Sequence, residues 1–214
     1  MIKSLNKRLL VFYTLIACTI VGLIFFVHYH PTSFFDTHVT HEIQELKIGN
    51  FTSLMRFISI FGNPVVLPLS IIFTSLFFLV TYNRREAFFI IAVIISDLFN
   101  ILIKILIHRP RPTLENAKIL LKFTQSGFPS GHVVHYVVFF GFLLAVICVN
   151  KKIPSFWRII IGVFSTFLIL TISISRIYLG AHWATDVIGG YLFGFVYLGI
   201  ILKFYLKGLK FKRP

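Results

Sequence analysis

Charge is scarce in this sequence, and acid scarcer still. Only 13% of the 214 residues are Asp, Glu, Lys or Arg, and just 7 are acidic. Soluble domains carry about 25% charged and roughly 45–50% apolar residues. Here the apolar share is 57% and the mean hydropathy +0.88, which excludes an ordinary soluble globular protein and implies an integral membrane one. Cysteine is nearly absent: Cys18 and Cys148 both fall in apolar stretches. With no Cys-x-x-Cys spacing, neither a zinc knuckle nor a redox pair is indicated, and the redox compartment stays open. Internal repeats are lacking. So are the motifs of nucleic-acid binders, although the net charge is +14. Most of that charge lies in short Lys/Arg tracts beside apolar runs, where it acts as a topology signal next to anionic headgroups. No nucleic-acid partner is expected.

What the chain has is long apolar runs. A membrane-crossing helix needs about 20 apolar residues, each rising about 1.5 Å. Six stretches qualify, roughly Leu9–Tyr29, Val65–Tyr82, Ala87–Ile107, His132–Val149, Trp157–Ser175 and His182–Tyr205. The expected fold is all-α, a polytopic six-helix membrane bundle in which residues 1–214 form one domain. The first run follows Lys3, Lys7 and Arg8 as in a signal peptide. It is long enough to span and no small-x-small site follows, so a retained helix is expected. Between the first two spans, Ser33–Asn50 carries Asp36, His38, His41, Glu42, Glu45 and Lys47 among spaced apolar residues. That pattern predicts an amphipathic surface helix. Phe51–Phe61, closed by Gly62-Asn63-Pro64, leads into the second span.

The basic residues set the orientation. With both termini inside, the cytoplasmic set is Lys3, Lys7, Arg8, Arg84, Arg85, Lys151, Lys152, Arg158, Lys203, Lys207, Lys210, Lys212 and Arg213. The outer set is Lys47, Arg56, Lys104, Arg109, Arg111, Lys118, Lys122 and Arg176. Thirteen against eight favours N-in, C-in, and several of the outer eight belong to polar clusters.

Three such clusters stand at the ends of apolar runs, all on the extracytoplasmic side in this orientation. Lys104 ends the third span, and Arg111 follows between Pro110 and Pro112, which stiffen its backbone. An ammonium is a mobile point charge and a guanidinium a planar fork, so the pair can grip phosphate oxygens. Two snorkelling interface cations would give the same sequence. Pro129-Ser130-Gly131-His132 opens the fourth span. The first amides of a helix lack intrahelical partners and attract anions. Gly131 permits close approach, and Ser130 can cap the helix or donate to a phosphate; a plain helix start is the alternative. In the third cluster, Ser175-Arg176 ends one span and His182-x-x-x-Asp186 opens the next. Residues four apart share a helical face, so Asp186 can fix the His182 tautomer and leave the other nitrogen free to attack. A carboxylate in a membrane helix points to function, although a structural His–Asp pair is the competing reading.

His132, His135, His182 and Asp186 could ligate a metal, but His135 lies one turn deeper and the surrounding cations would repel a divalent ion. Asp97, Asn100 and Lys104 share a face of the third helix, where Asp97 either positions Lys104 or joins an internal polar pair. His108 and Arg109 look like loop residues without a role.

In this order the clusters resemble the type-2 phosphatidic acid phosphatases, a family of membrane lipid phosphatases marked by Lys-x6-Arg-Pro, Pro-Ser-Gly-His and Ser-Arg-x5-His-x3-Asp. The match within the motifs is complete and covers the chain from about the third span onward; the first 60 residues add little. The resemblance implies a cofactor-free, metal-independent hydrolase of the cytoplasmic membrane working through a phosphohistidine. It implies His182 as nucleophile, Asp186 as its orienting partner and His132 as general acid. Lys104, Arg111, Ser130, Gly131 and Arg176 would hold the phosphate. The expected substrate is a phosphorylated membrane lipid in the bilayer: a phosphatidate-like lipid, phosphatidylglycerol phosphate or a polyprenyl diphosphate such as undecaprenyl diphosphate. A phosphotransferase with the same intermediate and a non-enzymatic lipid-binding or transport protein are the alternatives.

Overall fold

The computed structural model describes residues 2–46, 49–82, 84–121 and 125–210. Lys47, Lys122, Lys212 and Arg213, used above for orientation, lie outside the described residues. The described chain is all-α, with helices α1 (Ile2–Tyr29), α2 (Phe34–Gln44), α3 (Phe51–Ile58), α4 (Val66–Thr81), α5 (Arg84–Ile107), α6 (Gly131–Val149), α7 (Ser155–Tyr178) and α8 (Ala184–Lys210). A single 3-10 turn, Ile60–Gly62, sits between α3 and α4. Among these, α5, α6, α7 and α8 are long and apolar enough to cross a membrane. The pair α1 and α2 passes the same test with an 89° bend between them, and α4 is apolar but only 16 residues long. The protein is a multi-pass membrane protein.

At the centre stands α6. Its sequence is apolar all round, and Val133 to Phe142 are buried without a break, as expected of a helix surrounded by others. It packs against α5, α7 and α8. The approach of α8 is set by small residues: a Cβ on Gly190 would lie 2.8 Å from the Val133 Cβ, and one on Gly194 would lie 2.8 Å from the Val137 Cβ. Spaced four apart, these glycines let the α8 backbone lie against α6, the small-residue solution for helices that gain no hydrophobic drive from lipid. The Tyr136 hydroxyl donates to the Ile58 carbonyl and ties α6 to α3. Phe73, Val80, Leu106 and Ile159 point outward from α4, α5 and α7, an apolar exterior suited to lipid.

Up-and-down connections put the ends in register. The starts of α1, α5 and α7 and the ends of α6 and α8 share one end of the bundle, bringing Arg84, Arg85, Lys151, Lys152 and Arg158 there. The other end gathers the α5 and α7 C-termini, the α6 and α8 N-termini and the 108–130 connection. All three motif clusters lie at that second end.

Helix α2 departs from the amphipathic pattern expected of it. Ser33 caps it, accepting from the Asp36 amide at 3.1 Å while its hydroxyl donates to Asp36 Oδ2 at 2.8 Å. Its buried stripe is polar, Asp36, Thr40 and Gln44, whereas Phe34 and Phe35 are exposed. Gln44 Nε2 donates to the carbonyls of Lys118 and Tyr178 (2.8 and 3.0 Å), and its Oε1 accepts from the Lys118 amide at 2.9 Å. The polar face is turned into the protein because the loop ends beneath it present backbone groups that must be satisfied. Thus α2 lies as a strap over α7 and α8.

Candidate active site

His182 and Asp186 do not share a helix as the sequence spacing implied. His182 stands in the turn before α8, and Asp186 is in the first turn of that helix. Gly180, at φ +68°, ends α7, and the His182 amide is spent on that turn, donating to the Arg176 carbonyl at 3.3 Å. The two side chains still meet. Asp186 Oδ2 accepts from the Trp183 amide at 3.0 Å, capping α8, and lies 3.3 Å from His182 Nδ1.

The tautomer follows from the partners. Arg111 Nη1 lies 3.3 Å from His182 Nε2, and a guanidinium only donates, so Nε2 is the acceptor. The ring proton is therefore on Nδ1 and is given to Asp186, leaving the Nε2 lone pair directed at a cation. Burial, followed by the charges of Arg111, Lys104, Arg176 and His132, pushes the His182 pKa well below 6.5. The imidazole is neutral at pH 7. Burial lowers Arg111 to about 10, with Asp186 opposing, so this guanidinium remains charged. It is held by carbonyls: Nε donates to Gln125 O and Nη1 to Ala181 O, both at 2.6 Å.

Lys104 is buried at the end of α5 and donates to the Ser126 and Gly127 carbonyls at 2.7 and 3.3 Å. The backbone joins the second and third clusters directly, because the Ser130 amide donates to the Asp186 carbonyl at 3.0 Å. Ser130 is the residue before α6, but its buried hydroxyl makes no capping bond and has no partner among the described residues. The capping alternative for Ser130 is thereby removed. A Cβ on Gly131 would sit 2.8 Å from Asn100 Nδ2 and 3.8 Å from Lys104 Cε, so α6 begins close against these α5 side chains. The His132 ring lies against Gly62, where a Cβ would be 2.2 Å from its Cδ2. Arg176, 1% exposed, donates to Ser59 Oγ at 3.0 Å. Ser59 is 2.7 Å from Ser175 Oγ, which donates to the Met55 carbonyl.

Asp97 is not the partner of Lys104. It lies 3.2 Å from His135 Nδ1, one turn deeper on α6 than His132. Among the described residues no three His, Cys, Asp or Glu side chains are grouped to hold a metal ion, and His135 is turned to Asp97 instead.

Sequence reasoning missed Arg109. His108 takes φ +50° at the end of α5 and turns the chain so that Arg109 enters the interior, 2% exposed. Its Nη1 donates to Asp186 Oδ1 and to Thr185 Oγ1, both at 2.6 Å, its Nη2 to Asp36 Oδ2 at 2.7 Å, and its Nε to Pro31 O at 3.1 Å. The only available signal was Arg109 lying two residues before Arg111 at the end of a span. Asp36, Ser59 and Gly62 gave none.

The chain is 35% identical over 122 residues to phosphatidylglycerophosphatase B of Bacillus subtilis, covering 54% of each protein, so it spans about half the length of that relative. It is 29% identical over 169 residues to undecaprenyl-diphosphatase of Sulfolobus acidocaldarius, covering 75% of this chain and 73% of that one. The fold is similar to a solved transmembrane PAP2-type phosphatidylglycerolphosphate phosphatase from Bacillus subtilis. That likeness has a TM-score of 0.79 at 19% identity and covers 91% of this chain and 96% of that one. It is also similar to LpxE of Aquifex aeolicus, with a TM-score of 0.62 at 21% identity over 80% and 97% of the two chains. Residues 85–209, which hold all three clusters and the helices that carry them, match the PAP2 superfamily, and the chain belongs to it.

Proposed function

We propose that this protein is a membrane lipid phosphatase that hydrolyses a terminal phosphate through a phosphohistidine on His182. The observation that carries the reading is the Asp186–His182–Arg111 chain, which leaves a neutral Nε2 lone pair beside a charged guanidinium. A phosphate drawn to Arg111 arrives in front of that lone pair.

Phosphate oxygens are held by Lys104, Arg111, Arg176, the Ser130 hydroxyl and the Gly131 amide at the start of α6. Donors fixed in advance cost no reorganisation as charge develops. His182 Nε2 attacks phosphorus; the N–P bond forms as the bond to the lipid oxygen breaks, and protonated His132 gives its proton to that oxygen. Water then attacks the phosphohistidine and His132 takes its proton. The N–P bond breaks and inorganic phosphate leaves with His182 neutral again.

The substrate class follows from the setting and the relatives. The site lies at one end of an apolar bundle, and the relatives are named for phosphatidylglycerol phosphate and undecaprenyl diphosphate. A phosphatidate-like lipid, phosphatidylglycerol phosphate or polyprenyl diphosphate is the substrate proposed here. Residues 1–214 act as one membrane domain in six spans, α1 and α4 to α8, with α2 as the surface helix. Both termini face the cytoplasm, and the site faces the extracytoplasmic side, as the excess of basic residues at the opposite end supports.

The test is phosphate release by detergent-purified protein, with EDTA present, from phosphatidic acid, phosphatidylglycerol phosphate and undecaprenyl diphosphate. Release from at least one lipid, abolished in folded His182→Ala, is expected. Wild-type turnover in that variant would overturn the mechanism.

A further inference from the structure

The Arg109 network reaches beyond the segment that matches the superfamily. Asp36 on α2, Arg109 after α5 and Asp186 on α8 have fully buried side chains, two carboxylates on one guanidinium. Such a cluster is costly to bury unless every group is satisfied. Here Asp36 Oδ2 takes Ser33 and Arg109, and its Oδ1 takes the amide and hydroxyl of Thr185 at 2.9 and 2.8 Å. The Thr185 amide belongs to the open first turn of α8, so a carboxylate from α2 caps that helix from outside.

We propose that Asp36 is a positioning residue for the reaction: it anchors the far nitrogen of Arg109, so that Arg109 engages only one oxygen of Asp186 and leaves the other to orient His182. Arginine prefers to take a carboxylate with two parallel N–H bonds. Asp186 has only two oxygens. Oδ1 receives Arg109 Nη1, and Oδ2 serves the Trp183 amide and His182 Nδ1. A released Nη2 would swing onto Oδ2 and displace His182. The strap helix thereby sets the aim of the nucleophile without touching the phosphate. This inference rests on the proposed roles of His182 and Asp186.

Asp36→Asn tests it. The amide keeps an acceptor for Thr185 but turns N–H donors toward Arg109, so the cap survives and the anchor is lost. With the lipid that wild type turns over, kcat is expected to fall about 10–100-fold, the scale of a misaimed reacting group, while KM stays within about twofold. Asp36→Glu is expected to recover part of the loss. In spectra of 15N-histidine-labelled protein, the downfield Nδ1–H signal of His182 is expected in wild type and absent in Asp36→Asn. Unchanged kcat with an unchanged Nδ1–H signal would overturn the proposal. So would a loss of activity that follows only the amount of folded protein. The signal separates the two claims: should His182→Ala prove active, the nucleophile assignment fails, while the resonance still decides whether Asp36 orients the ring.

Discussion

The stretch from Ser33 to Gly62 and the region from Arg85 onward serve the same site in different ways. The later region holds every motif residue, and its side chains converge at one end of the bundle. The earlier stretch holds none of them, yet Asp36 backs Arg109, Ser59 backs Arg176 and Gly62 backs His132. The difference is chemical. A group that reacts with or grips phosphate must be one residue type at one spacing. A supporting group need only accept a hydrogen bond or leave room, which many residue types can do. The first kind of requirement leaves a pattern in a sequence; the second does not.

Variants in the two regions should therefore fail by different amounts and in different parameters. Asp186→Asn, on the motif side, is expected to have the largest effect. It keeps the shape but loses the charge that holds the His182 tautomer, and kcat for phosphate release should drop on the order of 10³–10⁴-fold, the scale seen for the equivalent change in a Ser-His-Asp triad. Gly62→Ala, on the supporting side, should displace the His132 ring. A shift of about 1 Å costs roughly 10²-fold, so kcat should fall by about that factor with little change in KM. Ser59→Ala removes one acceptor of Arg176, worth about 1 kcal/mol, and kcat/KM should fall roughly fivefold. Val80→Leu, on the exposed face of α4 (84% exposed), touches neither region and should stay within about twofold of wild type.

The all-helical membrane fold was legible because apolar runs of spanning length leave few other structures possible. The three clusters were legible because each stood alone in an apolar background. Helix α2 was legible as a helix but the partners of its polar residues were not, because Asp36 and Gln44 satisfy buried groups distant in sequence. Arg109 was passed over for the same reason, since its worth depends on residues 73 and 77 positions away. The helical placement of His182 failed on a local feature: Asp186 Oδ2 accepts from the Trp183 amide, so α8 is capped one residue after His182.

The electrostatics of the motif side give a sign that can be checked without turnover. The His182 pKa is lowered in the folded protein, so the ring stays neutral as pH falls through 6.5 and takes its proton only below that value. A histidine NMR titration of substrate-free protein should show this. Protonation of His182 at or above pH 6.5 would mean that burial and the surrounding cations do not act on it as the geometry implies.

The most direct measurement is rapid acid-free quenching of the enzyme during turnover of a lipid labelled in its terminal phosphate with 32P, followed by mapping of the label. A phosphohistidine on His182 requires an acid-labile, base-stable phosphate on the peptide containing that residue, absent from His182→Ala. Label on another residue, or full turnover by His182→Ala without any labelled enzyme, would contradict it.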